Sequence, residues 1–218
     1  MVEWWDEELF WEPTEKLKFN TTAPFEPEPD ESPESYLSRL ESQVHAIHKK
    51  EAFFLTLGGE HSITAPIVRS LSTRQAELTE DLPEQLTIVQ IDAHSDLFDE
   101  FQGTPYSHAC VMRRLAEYGV SIIQIGIRGI ERREYEFAQS NDNINIYYAH
   151  LLQNSSQLEQ LIAHLRSLSG HVYFSLDIDG LDTAIAPGTG TPQPGGMVSN
   201  TSYFAGGIYG IVCGCDRS

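Results

Sequence analysis

The chain contains 218 residues, of which 40% are hydrophobic, and carries a formal net charge of −18 from 32 acidic and 14 basic residues. This size and composition suit a single α/β domain with a substantial core and exclude a disordered protein. The negative charge argues against binding to nucleic acid or to an anionic membrane surface and favours a small cationic ligand, although acidic residues in the N-terminal segment also serve solubility.

The three cysteines, Cys110, Cys213 and Cys215, are too few and too unevenly spaced for a disulfide framework, which indicates a reducing compartment. The sequence holds no run of 18 apolar residues, and its acidic start differs from the basic start of a signal peptide. We therefore predict a cytoplasmic protein with no membrane-spanning segment.

Residues 1–34 mix aromatic and acidic side chains with five prolines and keep neither helical nor strand periodicity, which predicts an extended, loop-rich segment. From Ser35 onward, apolar residues recur three or four positions apart, which predicts an amphipathic helix. These apolar residues are Leu37, Leu40, Val44 and Ile47.

Strand-like and helical segments alternate through the next part of the chain. Short apolar runs with the continuous hydrophobicity of strands covered on both faces span residues 52–58, 86–92, 120–128, 144–149 and 171–179. Helical patterns lie between them, over residues 63–78, 108–119, 131–140 and 155–170. The alternation predicts a mostly parallel sheet in an α/β domain at residues 35–197, followed by an atypical glycine-rich tail at residues 198–218.

Acidic and histidine side chains cluster at three of the predicted strand ends. The candidates are His61, Asp92, His94, Asp96, Asp177 and Asp179. Alternate residues of an extended chain point the same way, and parallel sheets bind ligands beyond the carboxyl ends of their strands, so these side chains can converge. Such oxygen and nitrogen donors suit Mn²⁺, Fe²⁺, Co²⁺, Ni²⁺ or Zn²⁺. Six donors exceed one tetrahedral zinc site, so the pattern predicts two ions that share aspartates.

A pair of divalent ions lowers the pKa of a water molecule and thereby favours hydrolysis at an sp² carbon. His108, which follows the first aspartate cluster, is a candidate proton shuttle or substrate contact, with a solvent-facing helical residue as the alternative. The glycine and proline run at residues 186–196 predicts a loop at the rim of a substrate pocket and matches no phosphate-binding fingerprint.

The motifs GGEHS, DAHSDLFD, SHACVMRR and SLDIDGLD, followed by APGTGTPQPGG, resemble the ureohydrolase family of arginases and agmatinases, and agmatinases most closely. The resemblance covers about residues 50–197. It implies a three-layer α/β/α fold with a centre of two Mn²⁺ ions, or of ions such as Ni²⁺ or Co²⁺. It further implies hydrolysis of a small cationic guanidino substrate, agmatine, to putrescine and urea, as in polyamine biosynthesis.

The resemblance also assigns roles to individual residues. One ion would be held by His61, Asp92, Asp96 and Asp177, and the other by Asp92, His94, Asp177 and Asp179. Asp92 and Asp177 would then bridge the ions, and His108 would contact substrate or transfer a proton. Assembly into a homotrimer or homohexamer is also implied.

The chain departs from the family pattern in some places. Glu60 replaces a frequent Asp, and Thr183 replaces a common Pro. We expect a chain truncated at both ends relative to the family, with residues 198–218 read from a shifted frame. Activity of the truncated chain is then reduced or lost. The alternatives are a non-catalytic metal-binding remnant, a hydrolase of guanidinobutyrate, arginine or guanidine, and a metallo-deacetylase.

Overall fold

The computed structural model describes residues 10, 12, 18–48, 53–79, 86–198 and 208–214, with the backbone alone for residues 73–79 and 208–214. The parts of the predictions that fall on residues 1–9, 11, 13–17, 52, 199–207 and 215–218 lie outside the described residues. The chain divides into two compact units at residues 1–30 and 31–218. In the first unit, residues 18–28 contain neither helix nor strand. None of the described helices is long and apolar enough to cross a membrane.

The second unit alternates strands and helices. The strands are β1 Thr56–Leu57, β2 Leu86–Ile91, β3 Ser121–Ile127, β4 Ile144–Tyr148, β5 His171–Asp177 and β6 Ile208–Gly214. The helices are α1 Pro33–Ile47, α2 Thr64–Thr79, α3 Val111–Glu117, α4 Arg132–Gln139 and α5 Ser155–Arg166. Short 3-10 turns occupy His61–Ile63, His108–Cys110 and Ile178–Gly180.

Local capping explains where the helices begin. Helix α1 begins at Pro33, two residues before the predicted Ser35, because the Ser32 hydroxyl accepts the Ser35 backbone N–H at 3.2 Å. Pro33 suits the first helical turn, where its missing N–H has no partner to lose. Helix α5 begins after Asn154, whose side-chain oxygen accepts the Ser156 N–H at 2.9 Å.

The strands form one sheet in the order β1-β6-β5-β2-β3-β4, with every described pair parallel. The predicted α/β fold with a mostly parallel sheet is confirmed. The strand predicted at residues 52–58 is reduced to two residues, Thr56 and Leu57, which pair with β6. Strand β6 lies in the part of the chain that we predicted as an atypical tail. The prediction missed it because Gly210 and Gly214, which are unfavourable in strands, interrupt its β-branched residues.

The core lies around the central strands β2 and β3, where nearly every side chain is buried. Helix α5 covers one face through Leu161, which is 1% exposed. Leu161 packs in a cluster with Val89, Ile91, Ile123, Ile125 and Phe174. Burial on both faces explains the continuous apolar runs, and this core holds the carboxyl ends of β2 and β5 side by side.

Candidate metal centre

Strand ends bring the six predicted metal ligands to the carboxyl edge of the sheet. Asp92 directly follows β2, Asp177 ends the neighbouring strand β5, and His61 begins the turn after β1. The remaining ligands lie on the segments that continue from β2 and β5, namely His94, Asp96 and Asp179. The convergence arises because all these strands run parallel and end at the same edge.

The first ligand group consists of His61, Asp92 and Asp96, all buried. The Nδ1 atom of His61 lies 2.9 Å from Asp96 Oδ2 and 3.2 Å from Asp92 Oδ2. Asp177 adjoins this group, with its Oδ2 atom 3.7 Å from the same nitrogen. Two ligand atoms about 2.1 Å from one ion and at right angles to each other lie about 3 Å apart. The spacing in this group is therefore that of ligands to a single ion.

The second ligand group consists of Asp92, His94 and Asp179. The Nδ1 atom of His94 lies 3.0 Å from Asp179 Oδ2 and 3.7 Å from Asp92 Oδ1. Asp92 thus faces the first group with Oδ2 and the second group with Oδ1. Such a carboxylate, shared between two donor sets, is the arrangement expected of a bridge between two ions.

The chemistry of the donor set fits divalent ions. His61 Nε2 lies 2.8 Å from the hydroxyl oxygen of Ser175, which directs Nδ1 toward the carboxylates. Nδ1 is buried and makes no hydrogen bond of normal geometry to the described residues. A buried nitrogen among carboxylate oxygens is well placed to share a cation with them.

Burial and neighbouring charges shift the pKa values of several candidate ligands. Burial, together with the charge of Asp92, raises the pKa of Asp96 to about 6 and that of Asp177 to about 7. Although burial opposes it, hydrogen bonding to Asp179 and Asp92 raises the pKa of His94 to about 10. Although burial opposes it, the close approach of His61 and the hydrogen bond from the His94 backbone lower the pKa of Asp92. Asp96 and Asp177 are therefore harder to ionise beside Asp92 than an exposed carboxyl is, and a bound cation would relieve this repulsion.

A row of polar side chains, which the sequence analysis missed, lies beneath the ligands. Gln90 in β2 is in register with Gln124 in β3 and with Ser175 in β5, and all three are fully buried. The Gln124 amide donates to Gln90 Oε1 at 2.6 Å, and the Gln90 amide donates to Asp92 Oδ2 at 2.7 Å. Polar residues inside apolar strand runs were the available signal, but only the strand register places them in one row.

Asp96 adopts a left-handed backbone conformation, with φ of 52°. The carboxylate of buried Glu134 holds the flanking residues, accepting the Ser95 hydroxyl at 2.5 Å and the Leu97 N–H at 2.9 Å. The Asp96 carbonyl also accepts the Met112 N–H at 3.1 Å. These contacts stabilise a conformation that L-residues rarely adopt. Glu134 is therefore a supporting residue, hidden in the sequence among the charges of α4.

The 3-10 turns that carry His61 and His108 are joined by Glu60. Its Oε1 atom accepts the His108 backbone N–H at 3.0 Å and lies 3.2 Å from His108 Nδ1. Its Oε2 atom accepts the Ser62 N–H at 2.9 Å. The structure thus places His108, partly exposed, beside the turn that begins with His61. The role of His108 in the reaction stays a prediction.

The loop predicted at residues 186–196 lies against the second ligand group. The Thr191 hydroxyl donates to Asp179 Oδ2 at 2.9 Å. At the base of the loop, the Asp182 carboxylate accepts the backbone N–H groups of Gly195 and Gly196 at 2.9 and 3.1 Å. A Cβ atom at Gly180 would lie 2.9 Å from the Asp92 nitrogen, so glycine permits the turn after β5 to pack on Asp92.

The sequence matches a known protein family and several of its members. The profile of the arginase family matches residues 2–207, a longer span than the resemblance at residues 50–197. An N(1)-aminopropylagmatine ureohydrolase from Synechocystis sp. is 32% identical over 200 residues, covering 90% of this chain and 62% of the relative. An agmatinase from Pyrococcus horikoshii is 36% identical over 155 residues, covering 71% of this chain and 48% of the relative. The chain thus spans between about half and two thirds of the length of these relatives.

Solved structures show the same fold. The agmatine ureohydrolase of Thermoplasma volcanium is similar with a TM-score of 0.70 and 30% identity, covering 87% of this chain and 63% of that structure. The formimidoylglutamase of Bacillus subtilis reaches a TM-score of 0.81 at 20% identity, over 98% of this chain and 68% of that structure, which supports the fold alone. The three-layer α/β/α prediction is confirmed. The chain belongs to the arginase family.

Proposed function

We propose that this chain is a binuclear-metal hydrolase that converts agmatine to putrescine and urea. The observation that carries the proposal is Asp92, whose two oxygens face two different histidine–aspartate groups. Two Mn²⁺ ions, or Ni²⁺ or Co²⁺ in their place, would be held by His61, Asp92, His94, Asp96, Asp177 and Asp179. When bound, such ions acidify a water molecule and stabilise negative charge that develops on the substrate.

The residues of the chain would orient substrate and move protons. His108 Nδ1 faces Glu60, so we assign proton transfer or substrate contact to Nε2, with Glu60 fixing the orientation of the ring. The loop at residues 186–196 would shape the rim of the pocket, since Thr191 ties it to Asp179. The net charge of −18 favours a substrate with more than one positive charge.

The names of the relatives supply the competing substrates. Proteins acting on N(1)-aminopropylagmatine, on agmatine and, by its name, a guanidinobutyrase from Pseudomonas aeruginosa all match this chain. Agmatine remains our proposal, with N(1)-aminopropylagmatine as the second candidate because several relatives carry that name. We also propose that residues 35–197 form a partial arginase-like domain that carries the metal ligands, that the protein is cytoplasmic, and that the complete protein assembles as a homotrimer or homohexamer.

Urea release tests the proposal. Protein loaded with Mn²⁺ is assayed with agmatine, N(1)-aminopropylagmatine, guanidinobutyrate, arginine and guanidine. We expect urea from agmatine, loss of that activity in Asp92→Asn, and normal activity in the control Asp142→Asn, whose side chain is exposed and away from the ligands. Turnover of another substrate but not of agmatine contradicts the substrate. Tight binding of two ions without urea from any substrate identifies a metal-binding chain that does not catalyse.

A further inference from the structure

Arg128 directly follows β3 and donates hydrogen bonds only to main-chain carbonyls of the described residues. The Nη2 atom lies 2.5 Å from the Asp179 carbonyl oxygen and 2.7 Å from that of Gln193, which Nε also approaches at 3.1 Å. Further carbonyl partners are Gly126, Gly180 and Leu181, at 3.0 to 3.5 Å. One guanidinium group therefore joins the end of β3 to two other segments.

One of those segments contains Asp179 of the second ligand group, and the other contacts Asp179 through Thr191. Asp179 to Leu181 form the end of the turn after β5, and Gln193 lies in the loop at residues 186–196. The Asp179 carboxylate in turn accepts the Ala93 N–H at 3.0 Å and the Thr191 hydroxyl at 2.9 Å. Arg128 thus holds the backbone of Asp179, and also holds the loop whose Thr191 contacts the side chain of Asp179.

The chemistry of arginine suits this position. A guanidinium group offers five N–H donors in one rigid plane and accepts no hydrogen bond, so it can bind several carbonyls without becoming a metal ligand. Burial lowers the pKa of Arg128, while the charges of Asp179 and Asp92 oppose this change. A lysine has only three donors on a flexible stem and cannot span both segments equally well.

We propose that Arg128 is a positioning residue for the second ion: by fixing the backbone of Asp179 and the loop at residues 186–196, it makes the second ligand group competent to bind. The inference rests on the proposed binuclear function. The first ligand group has no hydrogen bond to Arg128, and its residues His61 and Asp96 are held by Ser175 and by the contacts of Glu134. The two groups should therefore respond differently to loss of the guanidinium.

The test compares wild type with Arg128→Met, Arg128→Lys and the control Arg132→Met. Arg132 is a matched control because its side chain is 89% exposed and pairs with Glu136 on the same helix. Bound Mn²⁺ per chain is measured by titration and by electron paramagnetic resonance, which separates coupled from single ions. Hydrogen exchange of residues 178–181 and 193–197 is measured on metal-free protein.

We expect Arg128→Met to bind one ion with wild-type affinity and the other about 10- to 100-fold more weakly, with faster exchange in both segments. Arg128→Lys should fall between Arg128→Met and wild type, and it decides the question if Arg128→Met does not fold. Two ions bound at wild-type affinity in both variants would overturn the inference. If wild type binds fewer than two ions, the proposed binuclear function is wrong. Separately, hydrogen exchange of residues 178–181 and 193–197 that is unchanged in metal-free Arg128→Lys and Arg128→Met would overturn the positioning role.

Discussion

Raising the pH from 5 to 8 is expected to destabilise the metal-free protein, because its folded state binds protons that the unfolded chain has already released. The ordinary pKa of an aspartate side chain is 3.8, whereas in the folded protein the pKa of Asp177 is about 7 and that of Asp96 is about 6. Above pH 3.8 the unfolded chain binds fewer protons at these positions than the folded one, so stability falls with pH until each folded pKa is passed.

The free energy of unfolding falls by about 1.4 kcal/mol per pH unit for each additional proton that the folded state binds. Between pH 5 and 8 the two carboxyls together cost about 4 kcal/mol on this basis. His94 acts in the same direction, because its pKa is raised from 6.5 to about 10 and its stabilising charge is lost as the pH rises toward that value. An ordinary domain has about 5–15 kcal/mol of stability, so the expected loss is a large share of the total.

Urea unfolding followed by circular dichroism, at pH 5, 6, 7 and 8 and in chelator or Mn²⁺, measures this loss. Mn²⁺ is expected to remove the decline, since a bound ion favours the deprotonated ligands. Asp177→Asn should remove about half of the decline in chelator, whereas Asp142→Asn should leave it unchanged. Equal stability of the metal-free wild type at pH 5 and 8 would refute the reasoning, as would an unaltered pH slope in Asp177→Asn.

Replacing Gln124 by Leu removes the amide that donates to Gln90 Oε1 and to the Ser95 carbonyl, each at 2.6 Å. Urea unfolding should then show a loss of about 2–4 kcal/mol in the free energy of unfolding, with no loss in the exposed control Gln160→Leu; an unchanged Gln124→Leu variant would contradict a supporting role of the polar row. Ser175→Ala removes the partner of His61 Nε2 and should lower the Mn²⁺ affinity of one site about 10- to 100-fold, as measured by titration calorimetry. An affinity equal to that of wild type would contradict this prediction. Glu134→Gln weakens charge-assisted hydrogen bonds around Asp96 and should lower stability by about 2 kcal/mol in the same unfolding assay, along with affinity at the first ligand group; unchanged values for both would count against its role.

The sequence pattern was sufficient to locate the candidate ligands because each one follows an apolar run. Continuous hydrophobicity marks a strand buried on both faces, and the rule that ligands lie beyond the carboxyl ends supplies the direction. Asp92 and Asp177 follow from these two facts alone. Their convergence with His61 required the order of strands, which local periodicity does not encode.

The supporting residues were beyond reach for a related reason. Gln90 and Gln124 are 34 positions apart in the chain, and only their pairing in register shows that one amide donates to the other. Arg128 likewise resembles a surface arginine until the turn after β5 and the loop at residues 186–196 fold against it. Strand β6 was missed because its glycines conceal a strand whose formation depends on two neighbours.

The position of β6 between β1 and β5 has a consequence for how the protein is made. Among the described residues, Thr56 and Leu57 pair only with Val212 and Cys213, more than 150 positions later, so a ribosome must release β6 before β1 can dock on it. Such distant pairing closes a long loop and delays folding. By contrast, the strands that lead to Asp92 and Asp177 pair directly with each other and need no residue beyond Asp177.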